Sequence, residues 1–380
     1  MKVIIIGAGI GGLTTAIALQ HNKIPFEIYE AATELKAVGA GIWLGGNAMN
    51  VYERLGLAEI VKDNSIFLES VFIKDIKGNL LQNIDNTDIK KRYGNATQAI
   101  HRGTLQQILM NAVKQAIHLG KRCVDVKNNT VYFDDGTTDH ADVIIGADGI
   151  RSVIREQHVA KAQYRYSGQT CWRAIINTTL PSAEQSRSGE IWSRKGGVRV
   201  SISQVGVNQA YFWMTKAMDA GSRFTPKEAL SYIQQELMPF DQHIQDIAKK
   251  LNAETLIHGD LYDIHPLNQW YRDNVVLVGD AAHASTPNLG QGASQAIEDA
   301  YILAAYLSRE SGPSTAFAKY QARRLKRAQR VVDASWMLGR LTSVKSLPCS
   351  LLRNFLVRCT PDNITRKQFD FLYGVNLNIE

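Results

Sequence analysis

The chain has 380 residues, 45% of them hydrophobic and 21% charged, with a net charge of +7 and a pI near 9.1. That length exceeds one usual core and points to two domains with a short terminal extension; the composition is that of a globular protein, not a disordered or fibrous one. No apolar run approaches the roughly 18 residues of a membrane span, and the basic excess is not interleaved with aromatic residues as a nucleic-acid surface needs.

The first element is the apolar run Val3 to Ile6, the pattern of a parallel strand covered on both faces. Glycines cut the run short, so it reads as a buried strand at a cytoplasmic start and not as a signal peptide. Gly7, Gly9 and Gly12 form GxGxxG ahead of the helical stretch GLTTAIALQHN. The first glycine permits a tight turn, the second lets a pyrophosphate approach the backbone, and the third lets the helix pack on the strand. The next strand, 25–29, ends at Glu30, 18 positions beyond Gly12. A carboxylate there can accept hydrogen bonds from ribose hydroxyls. The combination predicts dinucleotide binding.

Residues 68–97 read as strands, and HRGTLQQIL places Arg102 just before a helix. The chain then returns to the first sheet. In ADVIIGADGIRSVIR a buried strand (Val143 to Ile145) precedes Gly146, Asp148 and Gly149, with Arg151, Ser152 and Arg155 on a helix. Residues 166–220 alternate as strands of an antiparallel sheet, and 226–253 read as helix. A second return follows: strand Val275 to Val278, then GDAAHASTPNLGQG, then a helix with apolar residues at 293, 296, 297, 300, 303, 304 and 307. One face of that helix is therefore buried, and its start offers unpaired N–H groups and partial positive charge near Gly290 and Gln291. Arg323, Arg324, Lys326, Arg327 and Arg330 read as a mostly solvated helix face. The tail, about 331–360, mixes apolar residues with Arg340, Lys345, Arg353 and Arg358; such a pattern suits helix packing on the dinucleotide domain or a bilayer surface. Cys123, Cys171, Cys349 and Cys359 show no ligand spacing, which fits free thiols in a reducing compartment and no metal site.

GAGIGG (7–12) with Glu30, GADGIRSVIR (146–155) in the DGxxSxxR pattern, and GDAAHASTPNLGQG (279–292) in the GD…P…GxG pattern together resemble the single-component FAD-dependent aromatic hydroxylases, over about residues 1–310. YSGQTCWRAII (166–176) is similar to the urate and salicylate hydroxylase branch. The resemblance implies an α/β fold with a discontinuous, Rossmann-like FAD-binding domain of the glutathione-reductase type. Its implied parts are 1–67, 98–165 and 268–330; a β-sheet substrate domain would comprise 68–97 and 166–267, and a helical C-terminal extension 331–380. It implies an NADPH- or NADH-dependent monooxygenase that hydroxylates a small aromatic or N-heteroaromatic substrate with O2 through a flavin C4a-hydroperoxide. A cytoplasmic monomer or weak homodimer is expected. An isoprenoid epoxidase or reductase at a membrane surface is the competing reading.

By the same resemblance, Gly7, Gly9, Gly12, Glu30, Arg102, Asp148, Arg155, Asp280, Gly290, Gln291 and Gly292 are the expected FAD contacts. Asp280 would bond the ribityl chain, and Pro287 would lie beside the reactive face of the ring. Arg155 would either pair with Asp148 or touch the cofactor directly. His283 is expected to pack or hydrogen-bond near the ribityl chain and not to act as a base. Arg199 and Tyr211 resemble the pair that holds the heterocycle in urate-type members, with Trp213 beside them; a solvated arginine and core aromatics are the plain alternative. Trp172 and Arg173 depart from the urate branch, which leaves the substrate open.

Overall fold

The computed structural model describes residues 1–35 and 40–379. Its first sheet has the strand order 271–272, 275–277, 143–146, 3–6, 26–29, 117–118. All neighbours are parallel except the edge strand 271–272. Val3, Ile4 and Ile5 are fully buried, as are Val143, Ile144, Ile145 and Val275 to Leu277. That is why these strands read as unbroken apolar runs. The three glycine-rich turns leave adjacent strands at their carboxyl ends, so the topology gathers 7–12, 146–150 and 279–280 at one edge. Ligands of open parallel sheets bind at such an edge.

The second sheet has seven strands in the order 257–264, 164–176, 209–217, 198–206, 187–192, 70–75, 80–85. It is antiparallel except where 187–192 runs parallel to 70–75. This departs from the fully antiparallel sheet expected, because the 70–85 hairpin enters from the first part of the chain and adds at the far edge. Residues 86–93, expected as strand, form a helix capped by the Asp85 side chain. Alternation assigns the two faces. Trp172, Val200, Phe212 and Met214 form a core with Ile233, Leu237, Ile244 and Ile247 of helices Pro226–Leu237 and Gln242–Lys249. Arg173, Arg199, Tyr211 and Trp213 fall on the other face, toward the first sheet. A small sheet of Gly41–Leu44, Gln98–His101 and Ile66–Phe67 lies against that face.

The expected helix after Arg151 is short and ends as the π-helix Arg155–Val159, with the Ala160 amide donating to the Arg155 carbonyl. The C-terminal helix Pro313–Thr342 runs unbroken past residue 330, so the expected boundary there falls inside a helix. Helix Asp362–Tyr373 follows helix Leu347–Arg358 and packs near helix Gly46–Arg54 of the first part.

The arginine cluster corrects the solvated-face reading. Arg324 is fully buried; it donates to Asp299 Oδ1 (2.6 Å), Glu298 and Gln295. Arg327 donates to both Glu298 oxygens and to the carbonyls of Phe371 and Leu372. Arg323 donates to the carbonyls of Asn376 and Asn378. Glu298 and Asp299 are themselves fully buried on helix Gly292–Arg309. Burial alone would raise the Asp299 carboxyl; the His283 and Arg324 charges overcome it and hold the group at about 2. Arg324→Ala is expected to cost about 3–5 kcal/mol, the usual penalty for orphaning a buried charge, measured by denaturant unfolding of the purified protein. Because the folded value of Asp299 lies below its unfolded one, its contribution to stability is complete above about pH 4. It is lost as pH falls through about 2, and Asp299→Asn should flatten that part of a Tm-against-pH curve.

Candidate active site

The first turn is built by close approach. A Cβ on Gly12 would stand 1.8 Å from the Gly7 carbonyl oxygen, so only glycine lets the helix begin there. Gly7 itself has φ +106°, and a Cβ on it would meet the Ala147 oxygen at 2.5 Å, which locks the first turn to the second. Gly9 differs: a Cβ there would meet no atom within 4 Å. It faces open space, the cradle a pyrophosphate needs. Glu30 accepts from the Ala8 amide at 2.7 Å and the Ala32 amide at 2.8 Å, which places its carboxylate beside that loop.

In the second turn, Asp148 accepts from the Ile154 amide at 3.2 Å, and its Oδ1 is buried without a partner among the described residues. Burial raises its carboxyl above the ordinary range. No Arg155–Asp148 pair forms. Arg155 is fully buried and donates to the Ile150 and Ala281 carbonyls, Glu156 and Tyr164. It therefore fastens the second turn to the third.

In the third turn, Asp280 is open to the cleft although protein surrounds it on most sides. That enclosure pushes its carboxyl up, against the pull of the His283 and Arg102 charges. Arg102 starts helix Arg102–Ala112, and its guanidinium has no hydrogen-bond partner among the described residues. Its charge also opposes the burial that lifts the Tyr211 phenol. His283 is buried and contacts Asp299 at 2.5 Å through Nε2, which occupies that nitrogen.

Pro287–Leu289 forms a tight turn ending at Gly290 with φ +62°. Pro287 and Gly290 are exposed to the cleft, while Asn288 is buried. Helix Gly292–Arg309 begins after Gln291 with no side-chain cap, so its first amides remain available. Gln291 accepts from Asn47 at 3.1 Å, and Ser294 accepts from the Gly45 amide at 3.3 Å. These bonds pull the Leu44–Gly46 turn onto the helix start.

The second sheet reaches this turn through Arg199. Its buried guanidinium donates to Asn288 Oδ1, to Glu190 Oε2 at 3.1 Å and to Thr215 Oγ1 at 3.2 Å, and lies 5.5 Å from the Trp213 ring. The Tyr211 ring lies against Gly41, where a Cβ would meet it at 2.4 Å. Burial lifts the Tyr211 phenol well above its usual value, so it is neutral at pH 7 and can donate. Arg173 lies in register between Trp213 and Ile257. Its guanidinium has no hydrogen-bond or ion-pair partner among the described residues, and its Nε is buried. Trp172 points to the opposite face and stacks on His258 at 4.9 Å.

Sequence reasoning passed over Asn288, Glu190 and Asn47 and left Arg173 without a role. Asn288 lies inside the quoted 279–292 stretch, and its position between Pro287 and Gly290 was an available signal. Glu190 had none, since its partner is a residue on the next strand.

The residues fit FAD. The Gly9 cradle, the beckoning Glu30 carboxylate, the accessible Asp280 and the uncapped helix start lie along one edge in the order a long dinucleotide needs. The fold and these turns define a flavin-dependent monooxygenase. The model of the family described as "FAD binding domain" matches residues 1–335, and the chain belongs to that family. It is 31% identical to the aurachin C monooxygenase/isomerase of Stigmatella aurantiaca over 98% of both chains. It is 30% identical to the 2-heptyl-3-hydroxy-4(1H)-quinolone synthase of Pseudomonas aeruginosa, again over 98% of each. The structure of Klebsiella pneumoniae HpxO complexed with FAD and uric acid matches with a TM-score of 0.91 and 26% identity, covering 100% of this chain and 98% of that one. These relatives carry the aromatic-hydroxylase reading and not the isoprenoid epoxidase or reductase. The chain is thus an FAD-dependent monooxygenase that uses NAD(P)H.

Gly9→Ala should leave thermal unfolding of the apoprotein unchanged, because the added methyl meets no protein atom. The same variant should purify with much less flavin, read as the ratio of absorbance near 450 nm to that near 280 nm, roughly tenfold lower through loss of close backbone approach.

Proposed function

We propose that the enzyme hydroxylates a flat N-heteroaromatic or aromatic ring held between FAD and the Arg199–Tyr211–Trp213 face of the second sheet. The observation that carries this is the Arg199–Asn288 bond. It joins that face directly to the Pro287–Gly290 turn, where the family places the reactive side of the flavin. Residues 68–97 and 166–267 then serve as the substrate unit, and 1–67, 98–165 and 268–330 as the cofactor unit, with 331–380 as an extension.

Bound FAD supplies the redox chemistry, taking a hydride from NAD(P)H and activating O2 for transfer of one oxygen atom. The chain's own residues hold and polarise. Gly7, Gly9, Gly12 and Glu30 seat the adenosine diphosphate end. Arg102, Asp148, Asp280 and Arg155 line or brace the path to the ring. Gly290, Gln291 and Gly292 present amides and the positive end of the helix, which favour negative charge on the adjacent ring edge. Pro287 covers the reacting side.

The roles of the two sheet arginines divide. Arg199 is already neutralised by Glu190 and committed to Thr215 and Asn288; it positions the turn and the Trp213 ring. Arg173 is the uncommitted cation. It suits a substrate oxygen that carries negative charge as the ring is attacked, a phenolate, an enolate or a carboxylate. Neutral Tyr211 donates to the substrate and relays its proton. Trp43, Ile175, Trp213 and Ile257, all partly buried around Tyr211, supply an apolar slot for the ring. A quinolone with a heptyl chain, as named for the Pseudomonas aeruginosa relative, combines an ionisable oxygen with such a body. The four unpaired cysteines support a reducing, cytoplasmic setting.

The test is a screen for substrate-stimulated NADH and NADPH oxidation with 4-quinolones, hydroxybenzoates and purines, followed by mass spectrometry for a gain of one oxygen. No stimulation by any of the three classes overturns the reading. With the substrate found, Arg173→Ala should raise KM by roughly 10- to 100-fold, the loss of one charge-assisted bond of about 1.5–3 kcal/mol. Tyr211→Phe should act mainly on kcat.

A further inference from the structure

Helix Leu347–Arg358 is built inside out. Its inward residues are polar: Ser350, Arg353 and Asn354 are buried. The Ser350 hydroxyl donates to the Arg194 carbonyl, and Arg353 donates to the Ser193 carbonyl at 3.0 Å with its guanidinium 4.9 Å from the Trp192 ring. The apolar residues point outward. Leu347, Leu351, Leu352, Phe355 and Leu356 are 37%, 44%, 58%, 63% and 56% exposed. At 100° per residue they sweep about half the circumference of the helix. The preceding helix adds Met337 and Leu341, one turn apart, and the following one adds Ile364, all exposed.

A helix on a water-facing surface has the opposite arrangement. A contiguous exposed apolar patch marks an interaction site. The helix cannot roll to bury its leucines, because the Ser350 and Arg353 bonds hold the polar side to the 193–194 loop and the helix packs beside strand Leu80–Asp85. Residues 331–342 of the tail pack on the 286–288 turn, whereas helix Leu347–Arg358 docks on the second sheet.

The charge around the patch selects the partner. Exposed Arg340, Lys345, Arg358, Arg366 and Lys367 surround it, and Asp362 is the one acidic residue from 337 to 367. We propose that this face docks on an anionic lipid bilayer. The helix lies in the interface plane, with its leucines and Phe355 at the acyl boundary and the basic side chains at phosphate level. A second copy of the chain is a poor occupant, since two-fold pairing would set these bases against their own counterparts. The mode is peripheral: no described helix is long and apolar enough to cross a membrane.

The test is flotation of the FAD-loaded enzyme with vesicles of phosphatidylcholine containing about one-third phosphatidylglycerol, against pure phosphatidylcholine. The enzyme should float with the anionic vesicles. Capture should fall about tenfold with neutral vesicles or in about 0.5 M salt. The double variant Leu352→Glu, Phe355→Glu should lose about tenfold of the capture while keeping its bound flavin and its NAD(P)H oxidation. Wild-type protein that stays unbound with both vesicles overturns the proposal, as does equal capture by neutral ones. A dimer in solution that the double variant dissociates, with no vesicle binding, also overturns it and assigns the face to a second copy.

Discussion

Two carboxylates side by side on one fully buried stretch of helix, Glu298 and Asp299, must be neutralised or the fold fails. The way they are neutralised organises the rest. Asp299 takes His283, Arg324 and the Gly279 amide, which fixes the third turn relative to the helix that follows it. Glu298 takes Arg324, Arg327 and Asn47. Asn47 carries the Leu44–Gly46 turn, and Arg327 carries the carbonyls of 371 and 372. One cluster of charge thus sets the helix with the uncapped start, the loop beside it and the closing segment of the chain. The network is a specification device as much as a stabilising one: its partners come from the 279–283 turn, from Asn47 and from helix Pro313–Thr342, three separate stretches of the sequence.

Much of the dinucleotide half was legible in the sequence because its signals are local. A strand buried on both faces has to be apolar throughout, and a first helical turn in which a Cβ would meet a carbonyl oxygen at 1.8 Å has to carry glycine there. The parity of Tyr211 and Trp213 was equally legible, since a strand alternates its faces by geometry. The arginine cluster was not. The acidic partners of Arg324 and Arg327 lie 25 to 29 residues away on another helix, and Arg324 looks from its own helix like any other solvated base. The clue available was the acidic pair itself, set in the middle of the helix 292–309 among alanines, isoleucine and leucines.

Arg155 and helix 347–358 were read incompletely for a related reason. Arg155 binds backbone carbonyls, which every residue owns, so no sequence feature names its partner. In helix 347–358 the periodicity gives an apolar side and a polar side but not which of them faces inward. That choice is made by free carbonyls on Ser193 and Arg194, outside the helix altogether.

Asn288 has a consequence for how this enzyme can be tuned. It is packed on Gly339 of the long helix, where even a methyl group would collide with its amide nitrogen at 2.4 Å, and it is bonded to Arg199 and Gln169 of the second sheet. Three structural units share one side chain in the turn that leads into helix 292–309. The spacing between the second sheet and this turn is therefore set when the protein assembles. New specificity in this scaffold has to come from recarving the walls of the slot at a fixed depth.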